Sequence, residues 1–503
     1  MFLGFFIGTC FYIFKEKELL IDYKYPVSKP LIFFIILITI SFIFVYLRVF
    51  DYLSFYKHLY REYIVNIDLK TSNDAIWSAI YQYFNYICGF LILFLLIKIK
   101  LNKSFYNSLF YVLFVSVNLV LIGCIYQIFV NPYFMGQSTG IGSQSWIGIN
   151  TFANRYGSTL IDPNSLGIYS VIMIIFFISY ISFYFSNEHH EKKQLNKKTA
   201  ILKVFSIIGI TECLILTFLS GSRTAFLGIM AIFSVYFFII IKFVILKVFQ
   251  KNIFKKNQIG KNISNTTICN EIDNKNYSDS NGIKLKKKNI INNSFKIYLV
   301  TIIVYCLIIL IFIISFIFFI SKSNNNLIPT TLQRLKIDTL KILSGDFKSA
   351  ILDIFSGRLI LWKVAFNILK DHPISGLGIG MFTIEMPNFG YLYGFDTMIR
   401  DLADNYYLQV ATELGLFSLI IILWFFAIVL FEIKKIFKNV YIEKNIKNFS
   451  LNLYLVIPCM LLMFLFGPHT YFMEISFLFY FSIGLFLRNC QNSNFLNLDN
   501  DNF

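Results

Sequence analysis

Apolar blocks about as long as a bilayer is thick recur along the chain, and no other feature constrains its fold as much. A helical block needs roughly 20 residues to cross about 30 Å of hydrocarbon. Such blocks fall at approximately 1–14, 30–48, 76–97, 105–130, 165–186, 200–219, 225–248, 297–320, 414–433, 451–467 and 474–488. Helices satisfy their own backbone groups in lipid, so they are the expected solution. An outer-membrane barrel would show short alternating segments instead. The sequence therefore reads as an all-α, polytopic integral membrane protein with about 11–12 transmembrane helices, in a single transmembrane domain over 1–503. Its 57% hydrophobic and 15% charged content agrees, since soluble domains carry about a quarter charged residues. The first block lacks a basic n-region and a small-residue cleavage site, which argues against a signal peptide.

The net charge of +17 would suit a nucleic-acid binder, but its placement assigns it to topology. Lys98, Lys100 and Lys103 follow the third block; Lys192, Lys193, Lys197 and Lys198 follow the fifth; Lys434, Lys435, Lys438, Lys444 and Lys447 follow the ninth. All three loops fall on one side, which the positive-inside rule makes cytoplasmic. Residues 250–296 lie on that side with ten Lys and three acids. They read as a solvated, disordered Lys/Asn-rich insertion. The other side receives 131–164, the bend at 220–224 and the long segment 321–413, with nine basic and nine acidic residues. No cysteine falls in these outward loops, so no disulfide framework is expected. A long outward loop late in the chain points to work done at the outer face.

Four outward stretches carry the candidate chemistry. "NRYGSTLIDPNSLG" (154–167) precedes the fifth block, and "SGSRT" (220–224) is the tight bend between the sixth and seventh. "SGRLILWKVAFNILKDHPISGLGIGMF" (356–382) predicts an amphipathic helix with Leu361, Ala365, Ile368 and Leu369 on one face. Pro373 ends that helix, and Gly376, Gly378 and Gly380 turn the chain. "DLADNYYLQVATELGLFS" (401–418) opens a helix with Asp404 as its expected N-cap. A carboxylate so placed is favoured in its charged form, which weakens it as a base. Arg155, Arg223 and Arg358 all fall near the outer surface. Each alone is compatible with ordinary snorkelling at a span end. Together they suit an anionic ligand, because guanidinium meets phosphate oxygens in a two-pronged geometry.

These four stretches, with their order and placement, resemble the O-antigen ligase/polymerase family of bacterial membrane glycosyltransferases over about the last two-thirds of the chain. That family typically has about twelve spans with both ends cytoplasmic; eleven here put the N-terminus outside. The resemblance implies a donor glycan on undecaprenyl diphosphate, a glycan or lipid acceptor hydroxyl, and transfer at the outer face of the bacterial inner membrane. It implies no metal and no nucleotide cofactor, and no nucleic-acid partner. By the same likeness Arg155 and Arg223 would hold the diphosphate, with Arg358 assisting and Asn164 and Asn405 contacting substrate. Ligases carry a histidine, the proposed general base, where this chain has Asp404. The spacing to Asn405, Gly415 and Ser418 survives. Asp404 then becomes the candidate base, and the change favours a polysaccharide polymerase over a lipid A–core ligase. His372 and His469 also face outward. His372 is a possible accessory group, with a surface role beside its Pro-Gly turn the plainer expectation. A transporter or flippase of lipid-linked sugars is the competing class. It would place charges within its spans, and Lys242 is the clearest one there.

Overall fold

The computed structural model describes residues 25–50, 69–99, 101–131, 156–160, 162–185, 197–239, 241, 344, 358–392, 401–438 and 442–491. They are helical, with no strand among them. The helices are α1 (Ser28–Phe50), α2 (Leu69–Lys98), α3 (Lys103–Phe129), α4 (Pro163–Phe185) and α5 (Lys197–Ser220). After the bend come α6 (Arg223–Ile239), α7 (Arg358–Asp371), α8 (Phe382–Leu392) and α9 (Tyr406–Lys438). The chain closes with α10 (Lys444–Leu453), α11 (Val456–Met463) and α12 (Met473–Gln491). It divides into two units, residues 1–228 with 328–503, and residues 229–327. The described part of the second unit continues α6. Everything below concerns the first unit.

Among the described residues, seven helical stretches are long and apolar enough to span a membrane, and they coincide with seven of the expected blocks. The block at 474–488 is α12. The block at 225–248 is described as α6 to Ile239. Those at 1–14 and 297–320, the insertion 250–296, and Arg155 lie outside the described residues. Two boundaries differ from expectation. The ninth helix begins at Tyr406 rather than 414, because Asn405 caps it. The tenth block is two helices, α10 and α11, joined at Tyr454–Leu455 and entered from Lys444.

Close approach explains the packing. α4 is the most enclosed span, with 83% of its apolar window buried, against 28% for α1. It packs on α5, α10 and α12. Gly89 lies against the Tyr480 ring and Gly209 against Phe177, where a side chain would collide. Small residues at crossings let backbones pack closely when lipid gives little hydrophobic drive. Buried hydroxyls are absorbed locally: Ser170, Ser179 and Ser482 each donate to the carbonyl four residues earlier.

The basic connections gather at one end of the bundle. There Arg488 Nε donates to the Ile99 carbonyl (2.7 Å), Tyr106 Oη to Asn489 Oδ1 (2.6 Å), and Asn452 Nδ2 to Ser182 Oγ (2.7 Å). Lys98, Lys434, Lys435, Lys444 and Lys447 belong to these helix ends. At the opposite end lie the N-termini of α4 and α9, the α5–α6 bend and the α11–α12 connection, and the described candidate residues lie there too.

Candidate functional site

Two of the four motif stretches meet where α4 begins. Pro163 occupies the first helical position, where a missing N–H costs nothing. Asp162 caps the helix, its Oδ2 accepting from the Ser165 amide at 3.0 Å. Its carboxylate is thereby engaged at this cap. Upstream, Ser158 is pinned to α3: its amide donates to Gln127 Oε1 (2.8 Å) and its hydroxyl to the Val120 carbonyl (2.6 Å). The Tyr156 amide donates to the Leu219 carbonyl at 3.1 Å, joining this stretch to the end of α5. Gly167 completes the junction. A Cβ there would sit 2.6 Å from Ala225 Cβ and 2.8 Å from Ser222 Cβ. The bend itself turns at Gly221 (φ +61°), and Ser222 caps α6 through the Ala225 amide. Arg223, half-buried, is therefore the first residue of a helix held against α4. Asn164 is half-buried in the first turn of α4.

The third and fourth stretches interlock. α7 buries Leu361, Val364, Ala365 and Ile368, so Val364 takes the core place expected of Leu369. After it the glycine turn docks into a break in α9. The Leu377 and Gly378 amides donate to the Thr412 and Glu413 carbonyls (2.8 and 2.9 Å), and the Leu416 amide donates to the Pro373 carbonyl (3.0 Å). The break is Gly415, at φ 82° and ψ 168°. The buried Glu413 carboxylate accepts from the Gly380 amide (3.0 Å), the Phe382 amide (3.3 Å) and Gln409 Nε2 (2.9 Å). Ile379 donates to Ser41 Oγ and Gly380 accepts from Ser78 Oγ, so α1 and α2 hold the far side of the turn.

Asp404 is not the N-cap that the sequence suggested. Asn405 takes that role, its Oδ1 accepting from the Leu408 amide at 3.1 Å. Its Nδ2 donates to the Leu465 carbonyl at 3.2 Å. Asp404 stands one residue outside the helix with φ +48°, a left-handed conformation uncommon for a non-glycine residue. This turn directs its carboxylate to Arg358, whose Nε lies 3.2 Å from Asp404 Oδ2. The two side chains are 36% and 20% exposed respectively, so the pair sits at a mouth rather than in the core. Arg358 thus has an acidic partner.

The pair has acidic company. Burial raises the Asp404 carboxyl above its usual range; Arg358 opposes this, and the charge of Asp162 adds to it. Asp401, half-buried, is pushed up to about 7 by burial first and by Asp404 second, with Asp162 adding and the Leu402 amide and Arg358 opposing. The charge of Asp162, the α4 cap, thus reaches both aspartates. Asp401 went unassigned in the sequence, although its three-residue spacing from Asp404 in "DLAD" was visible.

The two histidines separate. His372 packs edge-on against Phe389, with ring centroids 6.2 Å apart. Burial lowers its pKa, as does the charge of Arg48, the arginine that bonds the Leu377 carbonyl and pairs with Glu385. His469, at 3% exposure, is held down to about 3 by burial and by the nearby Arg358 charge. Among the described residues, no three His, Cys, Asp or Glu side chains are grouped as a metal site would need.

Among the described residues, seven helical stretches long and apolar enough to span a membrane, with basic connections at one end and the Arg358–Asp404 pair at the other, define a multi-pass membrane protein. Residues 282–423 match the family model described as O-antigen ligase, a stretch that holds the third and fourth motif regions. Over that stretch the chain is similar to the O-antigen ligase family. No curated protein matches the chain.

Proposed function

We propose that this protein transfers a glycan from a polyprenyl-diphosphate carrier to an acceptor hydroxyl at the outer face of the bacterial inner membrane, as a polysaccharide polymerase. The observation that carries this reading is the Arg358–Asp404 pair, formed by a residue held out of its helix in a left-handed turn. Asp404 is thereby released from capping, and partial burial makes it a stronger base than a free carboxylate. In the reaction, the acceptor oxygen attacks the anomeric carbon of the donor. The bond from that carbon to the diphosphate breaks, and the acceptor proton passes to Asp404. The leaving diphosphate gains negative charge, which Arg223 and Arg155 stabilise electrostatically. Arg358 orients Asp404. The family match supports the class of reaction; the aspartate in place of the ligase histidine supports polymerase over ligase.

Purified protein supplied with lipid-linked repeats tests this directly. The expected product is a ladder of oligomers; transfer to lipid A–core instead would assign a ligase. Arg223→Ala is expected to abolish transfer with normal membrane insertion, and full activity would remove the diphosphate assignment. Asp404→Asn is expected to cost about 10²–10⁴-fold, the usual contribution of a general base. Near-normal transfer would reduce Asp404 to a positioning group.

A further inference from the structure

His469 belongs to the α11–α12 connection, and three observations bear on what it can do. First, it is nine-tenths buried and more, at 3% exposure. Second, its Nε2 has no hydrogen-bond partner among the described residues. With the proton of the neutral ring on Nδ1, Nε2 keeps a lone pair. Gly467 shapes the ring's seat: a Cβ there would lie 2.4 Å from His469 Cε1 and 2.9 Å from Nε2. Third, the connection is attached to the site. Asn405 Nδ2 donates to the Leu465 carbonyl at 3.2 Å, and the Tyr406 and Phe464 rings pack at 4.4 Å. Burial first, and the Arg358 charge second, disfavour the imidazolium, so the ring remains neutral through the physiological range.

A buried acceptor with no partner is uncommon in folded proteins, and such atoms recur where a ligand completes them. An uncharged Nε2 lone pair suits a neutral O–H donor. It does not suit an anion, which has no proton to give. The donors that the proposed reaction brings to this end are sugar hydroxyls. A pyranose acceptor presents neighbouring hydroxyls, so two of them can be held by two different groups.

We propose that His469 is an acceptor-binding residue: its Nε2 accepts a hydrogen bond from a sugar hydroxyl adjacent to the one that Asp404 deprotonates. The acceptor is then a glycan recognised through two neighbouring hydroxyls, with His469 fixing which one faces Asp404. This rests on the reading of the site as a glycan-transfer centre. His469 carries no proton in the reaction, so its contribution is independent of pH above about 5.

The test uses full-length protein in detergent and, as probe, the lipid-linked glycan extracted from cells lacking this gene. His469→Phe keeps a planar ring and removes the acceptor; His469→Gln keeps an acceptor on a chain of similar reach. Loss of one buried hydrogen bond predicts a drop in transfer on the order of 10–100-fold for His469→Phe, with recovery to within about threefold of wild type in His469→Gln. The pH profiles of wild type and His469→Gln are expected to keep one shape. Wild-type rates in His469→Phe would overturn the assignment. So would loss of an acidic limb in His469→Gln, which would make the residue a proton carrier. Should His469→Phe fail to fold, Gly467→Ala decides: it displaces the ring without removing it, and unchanged transfer there overturns the proposal. An active His469→Phe beside an inactive Arg223→Ala defeats the histidine assignment alone. A wild-type protein that transfers nothing from this probe defeats the glycan-transfer reading, and this inference with it.

Discussion

Gly415→Ala should undock the glycine turn from α9, because two independent features forbid a side chain at 415. The backbone there is at φ 82° and ψ 168°, a region essentially reserved for glycine that costs other residues about 1–3 kcal/mol. An added Cβ would also lie 1.8 Å from the Ile374 carbonyl oxygen. That oxygen belongs to backbone, so relief requires moving the 373–378 segment. The movement puts at risk the Leu416–Pro373, Leu377–Thr412 and Gly378–Glu413 bonds, each contributing roughly 0.5–1.5 kcal/mol. Together the loss is about 3–6 kcal/mol of local docking energy. At 1.4 kcal/mol per tenfold, protection of the turn should fall by about 100- to 10,000-fold. Hydrogen exchange read by mass spectrometry over 374–382, on purified protein in detergent, measures this. Transfer should fall with it, since the turn fixes the helix whose N-terminus carries Asp404. Protection at 374–382 within about threefold of wild type would refute the reasoning.

Other outcomes follow from the same geometry. Asn405→Ala removes a cap and the Leu465 anchor, and should lower stability by about 1–2 kcal/mol in a thermal melt; Asn405→Asp should restore the cap but not the anchor. Asp401 titrates near 7 in the folded protein and near 3.9 unfolded. The folded state therefore holds the extra proton between those values, and stability falls as pH rises from about 4 to about 7. Asp401→Asn should flatten that decline, and an unchanged dependence of melting temperature on pH would refute it. Gly167→Val should overpack the α4–α6 contact by about 1–3 kcal/mol and displace Arg223, so that transfer falls more than the melting temperature alone explains.

Much of the site's outline was legible in the sequence. The arginines, Asp404 and the glycine turn stood out because charged and conformationally special residues are rare between apolar blocks. The chemical state of these residues was not legible. Asp404 read as a cap because Asp is a good capping residue, yet its neighbour Asn405 is equally good and takes the place. The Arg358–Asp404 pair was not legible because the two residues are 46 apart in the chain. His469 read as one more outward histidine, because burial and a partnerless nitrogen leave no mark on sequence.

The division has a physical cause. Apolar block length and the position of lysines are set by the bilayer, an environment uniform enough to be read residue by residue. They determined the helical class, the expected spans and the side on which the motifs fall. Where the chain breaks its helices, local preference is nearly balanced and distant contacts decide. Gly415 is permitted to turn by its own chemistry, but it turns there because Pro373 and Ile374 occupy the gap. Asp404 is turned out because Asn405 caps and Arg358 draws it. The tertiary structure alone set that competition, and with it which carboxylate pairs with Arg358.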